Sequence, residues 1–183
     1  NGTTWTATFT PTANVEDSSN TIRVNLAGVT NTAGTAGSGQ ASSTNYSIDT
    51  RRPTVTITVA DPDLGIGETT TVTFTFSEAV TGFTIGALRV LSGGSRPVVT
   101  ISDLRPSGTS GTVWTATVTP FADGDYNIGV DMWYVSDRAG NVSLRDWRET
   151  TYLTGNGNNV IVDLVRPTAA STNPITFADT DLG

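Results

Sequence analysis

The chain has 183 residues, a net charge of −7, ten basic residues that are all arginine, and neither histidine nor cysteine. Without a basic stripe, nucleic acid and anionic membrane surfaces are poor partners. Without His or Cys, the thiol nucleophile, the Ser-His-Asp arrangement and the common zinc ligand sets are excluded.

Along the chain, strand signals dominate. TVTITV at 54–59 puts Val55, Ile57 and Val59 on one face and threonine on the other. TVTFTF at 71–76 repeats the device with Val72, Phe74 and Phe76. This alternation predicts half-buried antiparallel strands. Between 83 and 102 the pattern is less regular and holds two strands, around 83–91 and 97–102. VWTATVT at 113–119 turns Trp114, Ala116 and Val118 inward, and YNIGVDM at 126–132 does so with Tyr126, Ile128, Val130 and Met132. NVIVD at 159–163 adds Val160 and Val162. No window has a helical period, and no apolar run reaches the 18 residues of a membrane-spanning helix. Seven short strands, parted by Gly, Pro, Asp and Asn turns, predict an all-β, two-sheet sandwich. Lettered A to G in chain order, they bury Val55, Ile57, Val59, Val72, Phe74, Phe76, Trp114, Val118, Ile128 and Val130 in one expected core.

Phrases recur in a fixed order. NGTTWTATFTP at 1–11 matches SGTVWTATVTP at 110–120, and TIRVNLAGVTNTAG at 21–34 matches NIGVDMWYVSDRAG at 127–140. YSIDTRRPTVTI at 46–57 returns as VIVDLVRPTAAS at 160–171, and ADPDLG at 60–65 returns as ADTDLG at 178–183. Spacings that drift by a few residues around a common period mean tandem units with variable loops. The expected division is 1–52 as the later half of one repeat, 53–166 as a complete repeat, and 167–183 as the start of the next. The chain therefore reads as a window in a longer polypeptide.

Together PTVTITVADPDLGIGETTTVTFTFSEAVTGF, WTATVTP and SDRAGN resemble the bacterial Ig-like repeats arrayed in giant adhesins of biofilm and host-cell attachment, often type I-secreted. The resemblance covers the middle unit and both flanking pieces. It implies an extracellular, immunoglobulin-like seven-strand sandwich in tandem repeats, acting as a stalk, commonly with calcium at the junctions. One departure is the linker, DTRRP or DLVRP, where the family often has a Thr-Ala-Pro spacer; its arginines oppose a cation there.

The carboxylates fall at two poles. The AB and EF loops share the pole where strand G ends, which gathers Asp61, Asp63, Asp123, Asp125 and Asp163. Hard oxygen donors without nitrogen or sulfur suit calcium, which takes 6 to 8 oxygens. The competing reading is that Asp-Pro-Asp and Asp-Gly-Asp are turn chemistry alone. At the opposite pole, Asp49 of the linker faces Glu78 in the BC loop and Asp137 and Asn141 in SDRAGN, with Glu16 and Asp17 from the preceding unit. A cation there competes with salt bridges from Asp49 to Arg51, Arg52 or Arg138. Asn31 stands where the second unit has Asp137, so ligand strength differs between junctions. DPDLGIGE begins like an EF-hand loop, but position 12 is Val72 where a bidentate Glu belongs.

Trp133, Tyr134 and Trp147 lie where the strand F alternation breaks; they read either as a stacking platform for a sugar or as the filling of a bulge or interface. RDWRE at 145–149 is either a contact site or a solvated loop. No loop joins a nucleophile, a base and an oxyanion site, so no enzyme is expected. The expected function is a structural spacer that extends a distant binding tip, with neighbouring repeats as partners. Two alternatives are a carbohydrate-binding module for surface glycans and a filament subunit whose partial repeats are completed by strands from neighbouring copies.

Overall fold

The computed structural model describes residues 2–92, 99–142 and 159–163. The expected third repeat at 167–183, Trp147 and the RDWRE segment lie outside the described residues.

The first unit carries four short strands: β1 (Glu16–Asn20), β2 (Arg23–Asn25), β3 (Gln40–Ser42) and β4 (Tyr46–Asp49). β1 pairs with β4 and β2 with β3, both antiparallel. Phe9 meets Tyr46 edge-on at 6.1 Å. No hydrophobic side chain of this unit is among the buried ones; Trp5, Phe9, Ile22, Val24 and Val29 are all exposed.

The second unit is built from β5 (Val55–Val59), β6 (Asp63–Leu64), β7 (Thr70–Phe76), β8 (Val80–Thr81), β9 (Leu88–Ser92), β10 (Val99–Pro106), β11 (Val113–Pro120), β12 (Gly124–Val130), β13 (Ser136–Asp137) and β14 (Asn159–Val162). One sheet runs β10-β11-β7-β5 and the other β6-β14-β12-β9, while β8 and β13 form a separate ribbon. In the lettering above these are D-E-B-A and G-F-C, the strand grouping of an immunoglobulin-type sandwich. The two-residue β6 joins the second sheet by pairing in parallel with β14.

The period-2 pattern explains the core. Val55, Ile57, Val72, Phe74, Phe76, Ala116 and Val118 from the first sheet meet Leu88, Tyr126, Ile128 and Val130 from the second. Val59 and Trp114, expected inside, are half-buried and pack against this cluster. Phe83 joins the aromatics: its ring lies 5.1 Å from Phe74, 5.0 Å from Phe76 and 5.4 Å from Trp114, all edge-on. Edge-on geometry suits the ring quadrupole.

Two expected strands are shorter than their alternation. In the 83–91 segment, Ile85–Ala87 form a 3-10 turn and β9 starts only at Leu88. Phe83 reaches the core from the bend before that turn. Strand F stops at Val130 because the Asp131 carboxylate caps a second 3-10 turn, Met132–Tyr134, by accepting from the Trp133 amide. Met132 is buried as expected, but by way of that turn.

Tyr126 adds a feature that alternation does not show. Its hydroxyl donates to the Ala122 carbonyl at 2.8 Å, four residues upstream at the E–F corner. This is the tyrosine corner of immunoglobulin-like sandwiches.

Candidate metal centre

Asp49 ends β4, opposite Glu16 of β1, and its Oδ1 accepts from the Arg51 amide at 3.1 Å. Glu78 lies between β7 and β8, beside Ser77, whose Oγ accepts from the Thr54 amide at 3.0 Å. Asp137 ends β13 at the mouth of a hairpin. Asn141 closes that hairpin: its amide nitrogen donates to Asp137 Oδ1 at 2.9 Å, and its carbonyl accepts from Asp137 at 3.3 Å. Gly140 sits between them at φ 88°, a left-handed conformation that favours glycine.

These elements bring one carboxylate oxygen each from Asp49, Glu78 and Asp137 to within 4.8 Å of one another. Asp137 is only 3% exposed, and the other two are half-buried. The Asn141 side-chain amide stands among them, donating to Asp137 Oδ2 at 2.7 Å, to the Asp49 carbonyl at 3.1 Å and to Asp49 Oδ1 at 3.4 Å. A donor group thus occupies the place where positive charge is called for. Among the described residues, the competing salt bridge from Asp49 to Arg51, Arg52 or Arg138 does not form; the Arg51 guanidinium reaches Glu16 instead, at 3.7 Å and exposed to solvent.

The electrostatics follow the geometry. Burial, and then the negative charges of Asp137, Asp49 and Glu16, push the Glu78 carboxyl above its ordinary range, and Arg51 opposes them only in part.

The donor set fits a hard cation. Three carboxylates, the Asp49 carbonyl and an Asn side chain that presents oxygen when its amide turns over are the oxygen ligands calcium uses. No nitrogen or sulfur donor competes, since the chain has neither His nor Cys.

A turn of this kind does not need its charge. In the first unit, Asn31 Oδ1 accepts from the Thr35 amide at 2.9 Å, the Asn31 amide donates to the Thr35 carbonyl at 3.0 Å, and the bridge Thr30↔Ala36 matches Ser136↔Val142. The same hairpin closes with neutral Asn and Thr in place of Asp137 and Asn141. The buried carboxylate in the second unit is therefore additional to turn formation.

The other expected ligands are arranged differently. Asp61 Oδ1 accepts from the Asp63 amide at 3.1 Å, the Asx turn that the competing reading described. Asp63 and Asp125 pair with Ile161 from opposite sides, so one strand separates them by two strand spacings, roughly 9 to 10 Å. Asp163 donates its amide to the Leu64 carbonyl at 3.0 Å, and the Asp123 carbonyl lies 3.5 Å from the Tyr126 hydroxyl. Among the described residues, Asp61, Asp63, Asp123, Asp125 and Asp163 form no convergent carboxylate group. Two features of the Asp49 pole escaped sequence reading: the depth of Asp137 and the bridging role of the Asn141 side chain. The spacing of Asp and Asn in SDRAGN around a glycine was the available signal.

A two-sheet sandwich with D-E-B-A and G-F-C strands, a tyrosine corner and twice-written hairpins defines an immunoglobulin-like domain in tandem. The family model for the bacterial Ig-like domain matches residues 1–48 and 49–154, and the chain belongs to that family. No curated protein and no solved structure matches it. Among the described residues, no helix is long and apolar enough to cross a membrane.

Proposed function

We propose that this chain is a stalk segment of a long bacterial surface or secreted adhesin, in which calcium at the junction between repeats holds neighbours in line and extends a distant tip. The observation that carries this reading is the meeting of Asp49, from the end of one unit, with Glu78 and Asp137 of the next. Family membership supports a structural repeat. The exposed apolar side chains of the first unit support neighbouring repeat strands as the partners.

Asp49, Glu78, Asp137 and Asn141 would hold the ion. Its contribution is charge neutralisation across the joint. A cation shared by both units binds the aligned arrangement and has little affinity for the bent one, so it shifts the population by that difference. Moving a joint from 1:99 to 99:1 takes about 5.5 kcal/mol of differential binding. Several shared carboxylates supply that; a single one does not.

The test is small-angle scattering of a protein with two complete repeats in calcium, in chelator, and as Asp49→Ala. The maximum dimension should lengthen with calcium only in the wild type. Equal dimensions in all three would leave the linker to set the angle without an ion.

A further inference from the structure

Among the described residues, the two sheets of the second unit have four edge strands, β10, β5, β6 and β9. Three are blunted. β10 breaks its register between Ser102 and Arg105, where Asp103 takes φ 54°. β9 carries Arg89, and β6 is two residues long with Asp63 at its start. Bulges, charges and shortness are how sheets keep an open edge from pairing with another chain. β5 has none of them: residues 54–60 contain no charge, proline or glycine, and the register with β7 is unbroken.

The backbone of β5 is aimed for pairing. The Ser77 amide donates to the Thr54 carbonyl and the Ala60 amide to the Thr71 carbonyl, both at 2.9 Å. Hydrogen-bonded pairs alternate in an antiparallel ladder. Thr54, Thr56, Thr58 and Ala60 therefore turn their backbone groups toward β7, while those of Val55, Ile57 and Val59 point out from the edge. The side chains are already placed, with Val55 and Ile57 buried and Thr54, Thr56 and Thr58 exposed.

We infer that this edge pairs with β5 of a second copy of the chain, antiparallel, about a two-fold axis at Ile57. The sequence around Ile57 reads alike in both directions: Val55 meets the partner's Val59, and Thr56 meets the partner's Thr58. Parity agrees, because the outward groups of Val55, Ile57 and Val59 then fall opposite those of the partner's Val59, Ile57 and Val55. Beyond the ladder, Arg51 and Arg52 of each copy arrive at the end where the partner's Asp61 and Asp63 lie, and all four residues are exposed. Opposite charges thus meet at both ends, and the middle carries none. Pro53 and Pro62, which have no N–H to donate, bound the ladder. A two-fold contact uses the same patch on both chains, so it closes at a dimer.

One strand pair falls below the roughly 1,000 Å² of a stable interface, so the contact is weak for a single unit. It strengthens where units repeat along a chain. The net charge of −7 opposes the approach, but salt screens it beyond about 8 Å under physiological conditions. On the stalk reading above, antiparallel copies are stalks that reach from facing surfaces; the pairing itself does not depend on that reading.

The experiment is sedimentation equilibrium of the 183-residue chain in chelator at physiological salt, up to about 1 mM, the affinity range of weak contacts. The wild type should show a reversible monomer–dimer equilibrium. Thr56→Lys combined with Thr58→Lys sets like charges opposite each other across the two-fold, as does Thr56→Glu combined with Thr58→Glu. Each double variant alone should dimerise at least about tenfold more weakly, and an equimolar mixture of the two should restore the dimer. Unchanged thermal melting confirms that the variants fold. A wild type that stays monomeric, association that runs past the dimer, double variants that dimerise like the wild type, or a mixture that fails to recover would each overturn the assignment.

Discussion

Ile22 and Ile128 occupy the same place in two copies of one phrase, yet Ile22 is 50% exposed and Ile128 1%. Val29 and Val135 differ in the same way, at 51% and 0%. The local chemistry of the two copies is shared: both form the capped 3-10 turn, and both close the following hairpin on an Asx side chain. What the second copy has in addition is β5 and β7, whose Val55, Ile57, Val72, Phe74 and Phe76 complete the cluster in which Ile128 and Val135 are buried. Turns and caps are written locally. Burial is supplied by strands from elsewhere in the chain.

Substitutions at matched positions break or sharpen that contrast. Phe74→Ala, which removes the central ring of the second unit's core, should cost about 3 to 5 kcal/mol in denaturant unfolding, and Ile128→Ala about 2 to 5. Ile22→Ala should stay within about 0.5 kcal/mol, as for an exposed side chain. Equal losses at Ile22 and Ile128 would mean that the first unit has a core of its own.

The strands that alternate cleanly were the legible part of the fold. TVTITV, TVTFTF and VWTATVT gave their inward faces directly, because side chains on a strand alternate strictly. Residues 83–91 and 126–132 were legible as apolar but not as turns, since Phe83 and Met132 keep a strand-like position while the backbone bends at Ile85–Ala87 and Met132–Tyr134. The parallel pairing of β6 with β14 depends on contacts about 100 residues apart, which no local pattern encodes. At the joint, Asp49, Glu78 and Asp137 were legible as residues facing one pole. The hydrogen bonds of Asn141 were not, because an amide reveals its partners only once the chain is folded.

A second contrast lies in the hairpins. Asp137→Asn makes the second hairpin chemically like the first, where Asn31 Oδ1 already accepts the closing amide. The fold should therefore persist, with calcium affinity of the 183-residue chain falling at least about tenfold in titration calorimetry, since affinity follows the number of charged ligands. The reverse change, Asn31→Asp, should create no site, because among the described residues no other carboxylates converge there. Calcium binding that survives Asp137→Asn would place the ion elsewhere.

The smallest effect expected is in the pH dependence of the second unit, and its sign separates a bare joint from an occupied one. Burial and the neighbouring Asp137 and Asp49 raise the Glu78 carboxyl above its ordinary value, so without a cation the folded state holds this proton more tightly than the unfolded chain does. The ionised form then destabilises the fold at neutral pH. That penalty is relieved as pH falls through the raised folded pKa, and it is gone below the unfolded value of about 4.3. In chelator, the stability of the wild type relative to Glu78→Gln should therefore rise on acidification across that window. Saturating calcium reverses the sign: ligands must be deprotonated to bind, so acid releases the ion and the stabilisation from binding is lost with it. Parallel denaturation curves of wild type and Glu78→Gln from pH 7 to pH 4.5, with and without calcium, test both halves. If the two proteins keep a constant difference in chelator, the three carboxylates do not share one field, and the contrast between the charged hairpin and its neutral copy would lose its physical basis.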